Sequence, residues 1–195
     1  MSLWSDFAGS YGRLQDLRDW SAEMYPAPPA MTVNPRGAYQ AVLSTNHGPM
    51  VFRLLPAEAP AAVNSFLFLA RERFYEGLWF HRILEGFLIQ GGDPTATGSG
   101  GTGYTFMDEP VTRDYVRGTL ATANARPNTN SSQFLIIHKD AGLPRRYTIF
   151  GLLVEGFDVL DRLAATPVAE GPTGEVSRPL EPAVIERIEI LEGDR

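Results

Sequence analysis

The chain has 195 residues, of which 44% are hydrophobic and 21% are charged, a balance typical of a globular protein and not of a disordered one. Its formal net charge of -6 argues against a nucleic acid partner bound through phosphates. The absence of cysteine excludes disulfides, thiolate metal sites and a cysteine nucleophile. No apolar run could span a bilayer and no secretory leader is recognisable, so we expect a cytoplasmic protein that does not bind membranes.

Residues 1–36 are predicted to form an N-terminal helical arm and a proline-rich linker. Apolar side chains recur three, four or seven positions apart, as along one face of a helix, at Leu3, Phe7, Tyr11, Leu14, Leu17 and Met24. Such a helix either docks on its own domain, which is the commoner case, or binds a partner. The prolines between Pro26 and Pro35 then predict a stiff, extended linker.

Residues 37–195 are predicted to form one β-rich domain with two helices. Strands are expected at Ala38–Thr45 and Met50–Leu55, joined by a hairpin-like turn. A helix is expected to begin at Pro60 and to stop at Gly77. Further strands are predicted over residues 80–84, 87–90, 119–123, 133–137, 147–153 and 184–191, and a second helix over 156–165. Many short strands with two helices favour a closed or nearly closed antiparallel barrel.

Two patterns that could indicate a cofactor or a metal are better explained without one. Residues 98–103 contain the G-x-G-x-x-G pattern of dinucleotide sites, but no helical period follows them, so we predict a glycine-rich surface loop. The histidines His47, His81 and His138 lack ligand spacing, and each is more often a packing or surface residue than a metal ligand. The sequence therefore predicts neither a cofactor nor a metal site.

Two segments place long polar side chains inside apolar, strand-like runs. Arg82 and Gln90 lie in the segment Phe80–Pro94, and Gln133 lies in the segment Ala121–Ile136. Such groups must either face water or be hydrogen-bonded in a groove. Because an exposed arginine on an antiparallel sheet is common, the pattern alone leaves both explanations open.

The same segments carry a specific signature. Phe-His-Arg at residues 80–82, Gln-Gly-Gly-Asp at 90–93 and Pro-Asn-Thr-Asn-Ser-Ser-Gln-Phe at 127–134 together resemble the cyclophilin-type peptidyl-prolyl cis-trans isomerases, and the similarity runs over residues 37–192. The resemblance implies a mainly β fold, a closed eight-stranded antiparallel barrel capped by two α-helices. It also implies that the protein binds proline-containing polypeptides, accelerates rotation about X-Pro bonds in unfolded or flexible segments and so assists folding. No covalent intermediate and no cofactor are implied.

The resemblance assigns roles to individual residues. Arg82 would direct its guanidinium at the prolyl nitrogen, with Phe87 and Gln90 as its catalytic neighbours. Eight further residues would bind the substrate, namely His81, Leu88, Ala123, Asn124, Gln133, Leu135, Leu143 and Tyr147. Gly98 and Thr129 would lie near the rim that contacts the residue before proline.

Three departures from the family pattern concern the groove. Many eukaryotic members have phenylalanine where Leu135 stands, and Tyr147 occupies the position of a groove histidine. Around Gly142 the chain lacks a residue, together with the tryptophan that other members use to grip cyclosporin. We therefore expect isomerase activity with weak cyclosporin binding. The alternative function is a module that binds prolyl peptides without efficient turnover.

Overall fold

The structure, a computed structural model, describes residues 25–171 and 173–193. This part of the chain contains ten strands and two helices. In chain order they are β1 (Ala38–Thr45), β2 (Gly48–Leu54), α1 (Pro60–Arg71), β3 (Arg82–Leu84), β4 (Leu88–Gly91), β5 (Thr119–Thr122), β6 (Phe134–Ile137), β7 (Ile149–Glu155), α2 (Phe157–Ala164), β8 (Val168–Glu170), β9 (Val176–Pro179) and β10 (Ile185–Gly193). The predicted helical arm lies outside the described residues. No helix in the two described stretches is long and apolar enough to cross a membrane.

Eight strands form one antiparallel sheet in the order β10-β1-β2-β7-β5-β6-β4-β3, and β8 pairs separately with β9. The prediction of a mainly β fold with two helices is confirmed, whereas the prediction of a closed barrel is wrong. The sheet curls into an open half-barrel because its end strands, β3 and β10, share no ladder. β3 has only three residues. Among the described residues, the two ends of the sheet are joined only by one isolated bridge, Trp79 to Val184, and by the backbone hydrogen bonds that flank it.

Alternation along the strands divides the apolar side chains between the two faces of the sheet. On the inner face, Phe134 packs with Phe66 of α1, the two rings lying 6.1 Å apart in an edge-on contact. Leu160 of α2 belongs to the same main core. A second, smaller cluster lies on the opposite face and is called here the outer cluster, with the buried members Leu55, Leu88, Tyr115, Ala121, Leu135, Ile137 and Ile149.

The end of α1 differs from the predicted one. The helix stops at Arg71, and Arg73 adopts a left-handed φ of 58°, so the predicted stop at Gly77 is wrong. Phe74 is buried although it lies beyond the helix, and its ring packs edge-on against Tyr75 at 5.3 Å. Phe74 follows Ala70 by four residues, the spacing of one helix face, although tertiary packing and not the helix buries it.

The segment 25–36, predicted to be an extended linker, contains no helix or strand and lies against α1. Asn64 of α1 fixes it, because its side-chain oxygen accepts the backbone N–H of Thr32 at 2.9 Å and of Val33 at 3.2 Å. Val33 is itself buried in the main core. The segment is therefore held on the domain surface by hydrogen bonds and packing, and the domain boundary after residue 36 stays a prediction.

Replacing Asn64 by alanine should destabilise the protein. The side chain is 5% exposed, and its removal leaves two backbone N–H groups without an acceptor, which costs about 1–3 kcal/mol. Urea unfolding should show a loss of that size for Asn64→Ala. Asn34→Ala is the matched control, because the oxygen of Asn34 accepts one N–H at an exposed position and its loss should change stability by less than about 0.5 kcal/mol. Equal losses in the two variants would contradict the assigned role.

Candidate functional site

Strand pairing brings predicted site residues into line across the outer face of the sheet. Arg82 on β3 lies opposite Gln90 on β4, and Gln90 lies opposite Leu135 on β6. Leu135 in turn lies opposite Ala121 on β5. Directly opposed residues of an antiparallel ladder project to the same face. The pairing therefore places a guanidinium and a carboxamide beside the outer cluster, to which Leu135 and Ala121 belong.

Hydrogen bonds join three side chains of the site, called here the polar chain: Arg82, Gln90 and Gln133. Nη1 of Arg82 donates to Oε1 of Gln90 at 3.4 Å, and Nε2 of Gln90 donates to Oε1 of Gln133 at 2.8 Å. Nε2 of Gln133 donates to the carbonyls of Gly98 at 3.1 Å and Gly100 at 2.8 Å. In both glutamines the amide oxygen faces Arg82 and the amide nitrogen faces the glycine-rich loop. Arg82 at one end of the polar chain and the loop carbonyls at the other therefore fix the orientation of both amides.

The apolar residues predicted for the substrate pocket gather beside the polar chain. Leu88 and Leu135 are buried members of the outer cluster. The half-buried residues that pack against that cluster include four more of the predicted ones, namely Phe87, Ala123, Leu143 and Tyr147. Half-buried apolar side chains that pack on the buried members of the outer cluster form a surface that can receive a small apolar ring. The structure thus brings together every apolar residue that the sequence analysis assigned to the pocket.

The remaining predicted residues are held by burial or by local hydrogen bonds. Burial lowers the pKa of His81, which keeps its imidazole neutral at neutral pH. Nδ2 of Asn124 donates to Asp108 at 2.9 Å and to Asn130 at 3.0 Å, so both of its side-chain N–H groups are used inside the protein. The hydroxyl of Thr129 donates to a carbonyl of its own turn at 2.6 Å. Asn124 can therefore contact a peptide through its backbone but has no side-chain N–H to spare.

A buried carboxylate orders the glycine-rich loop that ends the polar chain. Asp93 is 0% exposed and accepts the backbone N–H groups of Thr95, Gly98 and Gly100 at 2.7, 2.6 and 3.1 Å. Gly92, which precedes it, has a left-handed φ of 82°, and a Cβ added there would lie 2.4 Å from the carbonyl oxygen of Ser132. The loop is thus shaped by one carboxyl group that accepts three backbone N–H groups and by a turn that only glycine fits.

One charged residue of the site, Glu175, is not predicted from the sequence. Its carboxylate accepts Nε of Arg82 at 2.6 Å and Nη2 at 2.8 Å. The two side chains are 31% and 36% exposed, and hydrogen bonding to the guanidinium is the main reason that the pKa of Glu175 is lowered. Glu175 lies between β8 and β9, two strands that the sequence analysis did not predict. An acidic residue in a glycine-containing stretch gave no signal for this contact.

A buried histidine supports the loop that carries Phe87. The backbone N–H of Gly86 donates to Nδ1 of His138 at 2.8 Å, so the proton resides on Nε2, which lies 3.0 Å from a carboxylate oxygen of Asp161 on α2. His138 is 5% exposed and packs within the fold. Within residues 25–171 and 173–193, no group of three or more potential metal ligands occurs.

Comparison with known structures and families identifies the class of protein. The family model for "Cyclophilin type peptidyl-prolyl cis-trans isomerase/CLD" matches residues 41–190. A crystal structure of a Cryptosporidium parvum cyclophilin type peptidyl-prolyl cis-trans isomerase superposes with a TM-score of 0.73 at 35% identity, covering 80% of this chain and 99% of that one. A second structure of that protein, in the presence of the dipeptide Ala-Pro, gives a TM-score of 0.71 at 37% identity and covers 78% and 98% of the two chains.

Bacterial relatives agree with this class. A Staphylococcus saprophyticus protein named as a peptidyl-prolyl cis-trans isomerase is 37% identical, with 77% of this chain and 91% of the relative covered. A Streptococcus pyogenes protein named as a bifunctional phosphatase/peptidyl-prolyl cis-trans isomerase is 40% identical, and this chain spans only 38% of its length. The fold and the matches define a peptide-bond isomerase, and the chain belongs to the cyclophilin-type peptidyl-prolyl cis-trans isomerases.

Alanine substitutions at three glycines should rank by strain. Gly92→Ala combines a left-handed φ with backbone overlap, Gly86→Ala has a left-handed φ of 77° and open space, and Gly142→Ala has neither problem. We expect Gly142→Ala to be near neutral, Gly86→Ala to lose about 1–2 kcal/mol and Gly92→Ala to lose the most. Urea unfolding of the three variants measures the order. A Gly92→Ala protein as stable as Gly142→Ala would refute the assigned turn geometry.

Proposed function

We propose that this isomerase acts on X-Pro bonds of unfolded or flexible polypeptides, with Arg82 as the residue that contacts the prolyl nitrogen. The observation that carries the proposal is the guanidinium of Arg82 held at one end of the polar chain, beside the outer cluster. The Ala-Pro dipeptide named for the C. parvum structure supports a proline-containing substrate. We further propose that the protein assists folding in the cytoplasm.

The required rate acceleration is within reach of non-covalent interactions. Amide resonance gives the X-Pro bond a rotation barrier of about 20 kcal/mol. Turnover at roughly 1–1,000 per second requires lowering the barrier by about 3–7 kcal/mol. A charged donor that holds the lone pair of the prolyl nitrogen weakens the resonance and contributes about 1.5–3 kcal/mol. Positioning of the peptide contributes the remainder.

The apolar surface would anchor the proline ring while the preceding carbonyl rotates. The pyrrolidine ring would contact Phe87, Leu88, Leu135 and Leu143. All four belong to the outer cluster or pack against it, which gives the surface a fixed shape. Leu135 makes the pocket looser than a phenylalanine would. The hydroxyl of Tyr147, at the position of the family's groove histidine, accepts a hydrogen bond from the neighbouring Arg146 at 2.6 Å, so its polar tip is oriented before substrate binds.

The polar residues would hold the peptide backbone on either side of the proline. Gln90 uses one N–H for Gln133, and its second N–H would bind a substrate carbonyl. Asn124 would hydrogen-bond the extended peptide through its backbone, as an added strand does. The groove would be lined further by His81, Ala123 and Gln133, with Gly98 and Thr129 at the rim that contacts the residue before proline.

Removing the guanidinium tests the proposed function. Arg82→Ala should lower kcat/KM at least tenfold with the fold intact, because a charged donor contributes about 1.5–3 kcal/mol. Exchange between the cis and trans peaks of a proline peptide, followed by NMR, measures the rate directly. Arg82→Lys keeps the charge but loses the planar fork and should fall between wild type and Arg82→Ala.

Arg53→Ala is the matched control for that experiment. Arg53 is an exposed arginine on β2, remote in the sheet order from β3, and its loss should leave kcat/KM unchanged. Peptide binding by the wild-type protein that shifts peaks without speeding exchange would support the alternative, a module that binds prolyl peptides. An unchanged kcat/KM in Arg82→Ala would refute the role proposed for Arg82.

Cyclosporin should inhibit this protein only weakly. The tryptophan with which other members grip the drug has no counterpart around Gly142, and none of Trp4, Trp20 and Trp79 aligns there. Losing an aromatic residue that is a binding hot spot costs about 2 kcal/mol or more, which is roughly thirtyfold in affinity. A titration of cyclosporin into the peptide-exchange assay, with a tryptophan-containing family member as the control, measures the difference. Nanomolar inhibition would overturn this expectation.

A further inference from the structure

The turn between β8 and β9 delivers a carboxylate to the guanidinium of the site. Glu175 lies 93 positions from Arg82 in the chain and binds it through two hydrogen bonds of 2.6 and 2.8 Å. The turn is closed by Gly171, whose N–H donates to the carbonyl of Glu175 at 2.8 Å. Gly174 adopts a left-handed φ of 81° just before it. The backbone that carries the carboxylate is therefore fixed by its own hydrogen bond and not only by the ion pair.

The guanidinium of Arg82 lies between two holding groups. Its Nε and Nη2 face the carboxylate of Glu175, and its Nη1 faces the amide oxygen of Gln90. A guanidinium has five N–H donors. Glu175 takes two of them and Gln90 one, so two N–H groups have no partner among the described residues. A side-on pair of this kind restrains the plane of the guanidinium as well as its distance.

Such a restraint matters because an arginine side chain has several rotatable bonds and loses rotamer entropy when it is ordered. The contact between Gln90 and the guanidinium measures 3.4 Å, which is long for a hydrogen bond. The two shorter contacts come from Glu175, on a half-buried ion pair. Most of the fixed geometry of Arg82 therefore comes from the carboxylate and less from the amide.

We infer that Glu175 is a positioning residue for the isomerase reaction, which orients the Arg82 guanidinium so that its remaining N–H groups face the prolyl nitrogen. The inference rests on the role proposed for Arg82. The opposite effect would be a brake, in which the carboxylate weakens the donor by neutralising its charge. The two effects predict opposite changes in rate when the carboxylate is removed.

The test compares Glu175→Gln, Glu175→Ala and Glu175→Asp with the wild type in the NMR exchange assay. A positioning role predicts that kcat falls about tenfold in the first two variants, since orientation of a charge-assisted donor is lost, while KM changes by less than about twofold. Glu175→Asp keeps the charge and should recover part of the loss. Glu170→Gln, an exposed acidic residue of the same hairpin, removes an equal charge and should leave the rate unchanged.

A double-variant cycle separates positioning from a general structural effect. If Glu175 acts through Arg82, then Glu175→Gln should cause no further loss in an Arg82→Ala background. An equal loss in both backgrounds, or a Glu175→Gln protein as fast as or faster than wild type, would overturn the inference. An Arg82→Ala protein with wild-type activity would instead refute the role proposed for Arg82, so the two failures are distinguishable. Thermal unfolding of each variant confirms that the fold is retained.

Discussion

The hydrogen bonds around the guanidinium of Arg82 hold the polar part of the site together. Arg82 stands on the outer face of the sheet beside the apolar outer cluster, and a charge there must be compensated by partners to be tolerated. Gln90 and Glu175 provide those partners from opposite sides. The half-barrel is what makes the arrangement feasible, since strand alternation reserves the inner face for the main core and leaves the outer cluster as a base for the site.

Much of the fold follows from local pattern. β1 occupies the residues that alternation predicts, and α1 begins at the expected proline, Pro60, because both signals lie within a few neighbouring residues. β8 and β9 have three and four residues, too few for a period of two to stand out. The open sheet could not be predicted either, because closure depends on whether the first and last strands of the sheet meet, and periodicity within a strand holds no information on that.

For the site, the sequence likewise indicates some of the residues but not the contacts between them. Arg82, Gln90 and Gln133 stand out in the sequence as polar groups in apolar strands, yet only the family resemblance favours a groove over a solvated face. Their mutual hydrogen bonds follow from cross-strand register, which the sequence does not state. Glu175 was beyond prediction because it joins the site across 93 positions through a tight turn. Asn124 shows the reverse, since the residue was singled out but its side-chain N–H groups serve the protein interior.

The chemistry of arginine gives the polar chain a one-sided character. A guanidinium can offer hydrogens but accept none, and the adjacent amide oxygen of Gln90 already accepts one hydrogen bond from Arg82. In place of proline, any other residue would direct its backbone N–H at the N–H groups of Arg82, so that two donors would face each other. Proline is the one residue whose backbone nitrogen carries no hydrogen. In the role proposed for Arg82, such a surface would select proline because its backbone nitrogen carries no hydrogen. The shape of the proline ring would be a second, separate basis for selection.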